Sequence, residues 1–269
     1  MARLLNYGQP INWGSPLNRG LVSRWQVVPW YASGPRWVDL ARRNHGTLTN
    51  GPIWSGAKGR KGGYGSITFD GTNDYVLLGA PPALALPGDL TLACWTYVAS
   101  SFLASKYIVS DFNAGGTISN GSLRTSSSGL FVWFQTGGSV VLTSSTTRTA
   151  DRWYHVTIVR DDSAKSVKFY IDGKSDGSGS YTGSPTAQQG RYIGTSAPAF
   201  PSDCLAGSLD AVTFYNRALS ASQVQQLYLD DCAGNPRILN WLRTPVALPP
   251  PTLLFRRSLY RRSGRRGVS

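Results

Sequence analysis

Few side chains in this sequence could act as a catalytic base or nucleophile. The chain has two histidines, His45 in a loop-like stretch and His155 between Tyr154 and Val156 in a strand-like run. A nucleophilic triad needs a positioned base, and we interpret His155 as a core histidine instead. The one G-x-S-x-G match, GKSDG at residues 173–177, begins at the Asp172-Gly173 hairpin signal and not at a strand-to-helix turn, and no P-loop or dinucleotide-binding glycine pattern occurs in the chain. These patterns therefore predict no nucleophilic site.

Carboxyl groups are the remaining side chains that could act in catalysis. All 14 acidic residues are aspartates, because the chain contains no glutamate. Glycoside hydrolysis needs two carboxyl groups at a set separation, one of them with a raised pKa, and two aspartates could serve in principle. Asp70, Asp74, Asp172 and Asp210, however, stand in turn or strand-edge contexts that explain them structurally. We predict no catalytic residue and expect that the protein is not an enzyme.

The three cysteines predict neither a disulfide framework nor a zinc site. Cys94 lies in a strand-like run and is predicted to be a small core residue. Cys204 and Cys232 could pair if their segments lie adjacent. The start MARLLNYGQPINW has no apolar h-region, so no secretion signal is predicted and reduced thiols are favoured.

Charge is distributed unevenly along the chain. Residues 1–65 hold nine Lys/Arg and one Asp, residues 66–232 hold ten Lys/Arg and thirteen Asp, and residues 233–269 hold eight Arg and no acid. The net charge of +13 therefore comes from two basic arms around a mildly acidic body. Such asymmetry is typical of proteins that bind a polyanion or an acidic partner surface. No run approaches the roughly 18 apolar residues of a membrane-spanning helix.

The central part of the chain carries many short strand patterns. SITFDGTNDYVLL alternates, and LTLACWTYV is apolar on both faces, as expected for a strand inside a two-layer structure. The Asp172-Gly173 pair predicts a hairpin turn. Further strands are predicted in YIVS, LFVWF, VVLT, WYHVTIVRDD, VKFYIDGK, RYIG and SLDAVTFYN. The body is therefore predicted to be all-β.

One helix is predicted after these strands. Ser220 is a suitable N-cap, and Gln223 three residues later completes a capping box. Val224, Leu227 and Tyr228 then fall on one face at helical spacing.

Residues 1–44 read as an irregular, basic segment with four tryptophans: Trp13, Trp25, Trp30 and Trp37. We interpret these rings as anchors that hold the arm against a folded body. The alternative is a stacking surface for bases or sugars.

Residues 233–269 are apolar as well as basic, with prolines that favour an extended backbone. That mixture predicts a docking arm, in which apolar groups supply burial and arginines select the surface. Charge interleaved with aromatic residues also suits nucleic acid, which is a weaker alternative because no motif accompanies it. The predicted docking residues are Trp241, Phe255, Tyr260, Arg256, Arg257, Arg261, Arg262, Arg265 and Arg266.

The body resembles the laminin-G-like, concanavalin-A-like jelly-roll family. The matching stretches are SITFDGTNDYVLL, LTLACWTYV, WYHVTIVRDDSAKSVKFYIDGK and GSLDAVTFYNRALSASQVQQLY, in the order found in the family. The resemblance implies an antiparallel two-sheet sandwich with binding loops at one rim. It divides the chain into an N-terminal arm (1–44), a sandwich (45–232) and a C-terminal docking arm (233–269).

The resemblance also implies a possible metal. Members of the family often bind calcium through Asp and carbonyl oxygens at the rim, and these ligands suit a hard cation. Asp70, Asn73 and Asp74 are the candidates by residue type, and the alternative is that they only form a turn. No cofactor is expected to be required.

Glycan binding is the family's commonest role, through an aromatic platform with polar side chains. Trp133, Tyr181 and Tyr107 are the candidates, although the sequence does not place them relative to one another. Fold alone does not prove function.

The flanks resemble laminin-G-like proteins encoded by tailed bacteriophages, through the start PINWGSPLNRGLV and the Arg-rich tail. This resemblance implies a non-enzymatic structural virion protein: a capsid decoration, a head fibre or a tail-associated module. It would be made in the host cytoplasm and contact other virion proteins, sister subunits and host-surface glycans. The alternatives are a free-standing glycan-binding lectin and a sandwich glycosidase or lyase.

Overall fold

The computed structural model describes residues 11–28, 32–41, 43–56, 65–98, 105–111, 121–135, 139–185, 190–197 and 203–233. Within these ranges it has two eight-stranded antiparallel sheets and one α-helix. The predicted all-β, two-sheet jelly-roll sandwich is therefore confirmed. No described helix is long and apolar enough to cross a membrane.

The first sheet is named here the covered sheet, because other described elements pack on its outer face. Its order is β14-β13-β12-β7-β16-β5-β4, with β1 also paired to β16. The bounds are β1 Leu21–Trp25, β4 Ile53–Ser55, β5 Ser66–Asp70, β7 Leu90–Val98, β12 Arg152–Asp161, β13 Ser166–Ile171, β14 Lys174–Ser180 and β16 Ala206–Tyr215.

The second sheet is named the open sheet, because no described helix packs on its outer face. Its order is β11-β10-β9-β8-β15-β6-β3-β2. The bounds are β2 Arg36–Trp37, β3 Gly46–Thr49, β6 Tyr75–Gly79, β8 Tyr107–Asp111, β9 Ser122–Thr125, β10 Phe131–Gln135, β11 Ser139–Thr143 and β15 Arg191–Ile193.

The main hydrophobic core lies between the two sheets, and side chains reach it by strand alternation. In β7 the residues Leu90, Leu92 and Cys94 face this core. Ala93 and Trp95 face the other side of the strand and pack in separate apolar clusters. Both faces of β7 are therefore buried, as its sequence predicts.

The outer face of the covered sheet is buried by both described ends of the chain. The helix α1, Ala221–Cys232, begins with the predicted capping box, in which Ser220 accepts from the Gln223 amide. Val224 and Leu227 of α1 pack with Ile11, Leu17 and Leu21 in one cluster on this face; the remaining members include Ala93, Val159, Tyr170 and Tyr215. These elements form a third layer.

The N-terminal segment contributes directly to the sandwich, so the predicted boundary at residue 44 needs correction. β1 pairs with β16, with Leu21 opposite Tyr215. Trp25 is 0% exposed and lies in the core between the sheets with Trp37. The physical reason is that β16 extends beyond β5 and needs a second partner for its remaining hydrogen-bonding groups. The anchoring interpretation of these two tryptophans is confirmed; Trp30 lies outside the described residues.

A buried ion pair joins the N-terminal segment to α1. Arg24 Nη2 lies 2.7 Å from Asp231 Oδ1, and both side chains are essentially fully buried. Asp231 Oδ2 also accepts from the Trp95 indole at 3.0 Å, and Arg24 Nη1 donates to the Thr213 hydroxyl at 2.8 Å. The pair therefore connects β1, β7, β16 and α1.

Removing one partner of this pair should destabilise the fold strongly. We expect Asp231→Asn to lower the free energy of unfolding by about 3–5 kcal/mol, because Arg24 is left buried without its counter-charge. The double variant Arg24→Met/Asp231→Leu should cost less than the two single changes added together. Denaturant unfolding of the full chain measures each value.

The control is the partly exposed pair between Lys165 and Asp162, 2.8 Å apart. Lys165→Gln should cost less than about 1 kcal/mol. A loss of similar size for Asp231→Asn and Lys165→Gln would contradict the structural role given to Asp231.

Candidate functional site

The three aromatic residues proposed for glycan binding do not lie together. Trp133 of β10 is 0% exposed in the core between the sheets, where its indole donates to Gln135. Tyr181 is also buried in that core, and its hydroxyl donates to Asp162 at 2.6 Å. Only Tyr107, at the start of β8, packs on the outer side of the open sheet. A shared platform of these three residues is therefore excluded by strand alternation.

The outer side of the open sheet carries other tyrosines that the sequence analysis did not select. Val76 and Leu78 of β6 and Ile193 of β15 face the core. Their neighbours in the strands, Tyr75 and Tyr192, therefore project from the opposite face. The two tyrosine rings meet edge to face, with centroids 6.1 Å apart. Both are half-buried, so part of each ring is exposed.

An arginine projects from the same outer side of the sheet, beside Tyr107 and Phe134. Arg124 of β9 is paired in register with Tyr107 of β8 and Val132 of β10. Its Cζ atom lies 4.1 Å from the centroid of Phe134 and 5.6 Å from that of Tyr107. The Arg124 guanidinium also lowers the pKa of Tyr107, against the effect of burial. These contacts hold a cation at a fixed place on the sheet.

We name this surface the tyrosine–arginine face; it comprises Tyr75, Leu77, Tyr107, Arg124, Phe134 and Tyr192. Leu77 is 38% exposed and lies opposite Tyr192 in the sheet. Burial raises the pKa of Tyr107, and Arg124 offsets part of that rise. Burial also raises the pKa of Tyr192, with a smaller contribution from Tyr75. These phenols therefore remain neutral near pH 7 and can both donate and accept hydrogen bonds.

The residues proposed for calcium lie in the turn between β5 and β6. The Asp70 carboxylate accepts from the Thr72 amide at 2.7 Å, and Asp74 Oδ2 accepts from the Asp70 amide at 3.1 Å. The Asn73 carbonyl accepts from Asn50 Nδ2 at 2.9 Å. These bonds build the turn from within.

Calcium usually takes 6–8 oxygen ligands, more than the two carboxylates here supply. No cluster of three or more His, Cys, Asp or Glu side chains suited to a metal occurs in the described ranges. A calcium site at this turn would therefore need carbonyl and water oxygens as well, and it stays a prediction.

The remaining candidate residues are placed as follows. His155 is buried beneath α1, with its ring centroid 5.2 Å from that of Trp95 and 5.7 Å from that of Tyr228. All three cysteines are thiols, so Cys204 and Cys232 form no disulfide. The nine predicted docking-arm residues, from Trp241 to Arg266, lie outside the described residues.

The profile of the concanavalin A-like lectin/glucanases superfamily matches residues 70–225, which is more than half of the chain. The chain belongs to this superfamily. No curated protein sequence matches it.

Solved structures share the fold at low sequence identity. One is a mutant of Trypanosoma rangeli sialidase displaying trans-sialidase activity, with 16% identity and a TM-score of 0.61, covering 79% of this chain and 33% of that one. Another is the binding domain of Paraclostridial Mosquitocidal Protein 1, with 16% identity and a TM-score of 0.63, covering 79% of this chain and 52% of that one. A third is T. rangeli sialidase in complex with sialic acid, with 16% identity and a TM-score of 0.59, covering 79% and 33%. The chain thus matches a third to a half of the length of these proteins.

These similarities correct one expectation. The lack of glutamate and of a nucleophilic site predicts that the protein is not an enzyme. The solved structures that share the fold include sialidases. Enzymes therefore occur on this fold, and the expectation that the protein is not an enzyme is wrong. At 16% identity these structures show the fold alone.

Calcium binding at the β5–β6 turn can be tested by linkage. If Asp70 and Asp74 bind calcium, adding CaCl₂ should stabilise the chain, by about 2.7 kcal/mol at a concentration 100 times Kd. Asp74→Asn should remove this response. Without calcium that variant should be no less stable, because burial raises the pKa of Asp74 and so disfavours its charged form.

The matched control is Asp89→Asn, which changes an aspartate just before β7, at the opposite end of the strands. It should keep the calcium response, and MgCl₂ should not reproduce it. If calcium leaves the thermal midpoint of the wild-type chain unchanged, the site does not exist.

Proposed function

We propose that the protein binds carbohydrate through the tyrosine–arginine face. The observation that carries this proposal is the placement of Tyr75, Tyr192 and Arg124 on the outer side of the sheet that no described helix covers. Membership of a lectin and glucanase superfamily supports it. So does the fold shared with a sialidase in complex with sialic acid and with the binding domain of Paraclostridial Mosquitocidal Protein 1.

The chemistry of the face suits sugars. Exposed parts of aromatic rings offer a negative π surface to the polarised C–H groups of a pyranose. The phenol hydroxyls of Tyr75 and Tyr192 and the guanidinium of Arg124 add hydrogen-bond donors on the same side of the sheet. The opposite sheet offers no comparable surface at its centre, since α1 and the N-terminal segment bury it.

The two described ends of the chain lie on the other side of the sandwich from this face. Ile11 and Leu227 share a cluster on the covered sheet, and Asp231 near the end of α1 contacts Arg24 there. The described part of the chain therefore begins and ends on the covered side. This arrangement supports a module held from one side and exposing its ligand face on the other.

We further propose that the protein is a virion component, as a capsid decoration, head fibre or tail-associated module. Other virion proteins or sister subunits would bind the basic, apolar segment 233–269. The support is the charge distribution, with eight arginines and no acid in that segment. A lectin outside any virion is the alternative outcome of the tests that follow.

Substitution of Tyr192 tests the carbohydrate-binding face. Tyr192→Ala should abolish binding of glycans that the wild-type chain retains on a glycan array, because it removes an exposed ring beside Tyr75. The stability loss should stay below about 2 kcal/mol, as the side chain is only half-buried.

Tyr97→Ala is the matched control, since Tyr97 is a half-buried tyrosine of the covered sheet. Its glycan profile should equal that of the wild-type chain. If the wild-type chain retains no glycan, or if both variants lose binding equally, the proposed function is wrong.

Deletion of residues 245–269 tests the docking arm. The shortened chain should lose association with particles and self-association, measured by co-sedimentation and analytical ultracentrifugation. Its unfolding midpoint and glycan profile should not change, because residues 21–215 form both described sheets and the core between them. Unchanged particle association would contradict the docking role. Steeply salt-dependent DNA binding that the deletion removes would favour the nucleic-acid alternative.

A further inference from the structure

The charge of Arg124 is compensated differently from that of other arginines in the sandwich. Arg24 pairs with Asp231 at 2.7 Å and Arg191 with Asp111 at 3.2 Å. Arg160 donates to the carbonyl oxygens of Leu86 and Gly88. Each of these cations, when removed from water, faces an ionic or carbonyl acceptor.

Arg124 has neither kind of acceptor among the described residues. Its contacts there are the rings of Phe134 and Tyr107. Its Nε is buried and makes no hydrogen bond in the described part of the chain. Asp203 acts on the pKa of Tyr107, but Arg124 forms no ion pair with it or with any other described carboxylate.

Accessibility separates Arg124 from Arg148, another arginine that lies over an aromatic ring. Arg148 also lacks a carboxylate partner, but it is only 4% exposed and donates to the Ser126 carbonyl. Arg124 is half-buried, so its terminal nitrogens can reach a ligand. A half-desolvated guanidinium on a ligand face favours an anionic partner, because a carboxylate or sulfate accepts two parallel N–H bonds from it.

We infer that Arg124 binds the anionic group, carboxylate or sulfate, of an acidic saccharide on the tyrosine–arginine face. This inference rests on the proposed carbohydrate binding and specifies its ligand class. The rings of Tyr75 and Tyr192 pack against the face of a sugar ring, and the terminal nitrogens of Arg124 donate hydrogen bonds to the anionic group. Because Nε is buried, the anion approaches the guanidinium end-on.

Two anionic probes and one neutral probe test this inference. The full chain is titrated calorimetrically with trigalacturonate, with its methyl ester, and with a sulfated galactose oligosaccharide. At least one of the two anionic probes should bind about tenfold or more tighter than the neutral ester. Arg124→Gln should remove this preference, and Arg124→Lys should retain only part of it, because a lysine lacks the planar fork.

The matched control is Arg36→Gln, which removes the same charge from an exposed position at the edge strand of the same sheet. It should bind like the wild-type chain. Equal losses for Arg124→Gln and Arg36→Gln would indicate long-range attraction and overturn the inference.

The remaining outcomes separate this inference from the proposed function. If Arg124→Gln weakens binding of the sulfated probe alone, the anionic group that Arg124 binds is a sulfate. If it weakens binding of trigalacturonate alone, the group is a carboxylate. If glycan binding on the array requires Tyr192 but Arg124→Gln leaves the affinity for both anionic probes unchanged, only the inference fails. If no glycan binds at all, the proposed function fails and the inference with it. Near-ultraviolet circular dichroism of each variant shows whether it is folded.

Discussion

The double pairing of β16 determines how the rest of the molecule is arranged. All ten residues of this strand are buried; β7 lies along one side, and β5 and β1 share the other. Because β1 completes that side, the N-terminal segment is fixed on the covered sheet next to α1, and the Arg24–Asp231 pair joins the two across the sheet. A partner-less β16 edge would leave main-chain groups of a fully buried strand without hydrogen bonds. The same arrangement occupies the outer face of one sheet, whereas no described helix packs on the tyrosine–arginine face of the other.

Strand prediction succeeded where apolar residues alternate over many positions and failed where they do not. The patterns of β7, β12, β13 and β16 are long and bounded by turns, and Asp172 and Gly173 take the positive φ values of 50° and 75° that their turn requires. β1 has the sequence LVSRW, and its arginine is typical of an exposed segment. Arg24 is buried because Asp231, more than 200 residues later, faces it. No local pattern contains that information.

The candidate site was predicted only in part, for a related reason. Aromatic residues occur in both cores and sugar-binding surfaces. Residue type therefore does not distinguish Trp133, on the core side of the open sheet, from Tyr107, on its outer side. Alternation in YVLLG, with Val76 and Leu78 inward, was the available signal for Tyr75 and Leu77. The neighbourhood of Arg124 depends on the register of β8, β9 and β10. That register follows from long-range pairing, so the sequence could not supply it.

The charge distribution explains why recognition of an acidic sugar would depend on one fixed arginine. Residues 66–232, which form most of the sandwich, carry ten cations and thirteen aspartates, so the body itself does not attract anions over a distance. Charges separated by more than about 8–10 Å are largely screened at physiological salt. An anion must therefore be held by contact, and contact requires a cation already in position. Phe134 and Tyr107 provide that position for Arg124, which lowers the side-chain entropy lost when a ligand binds.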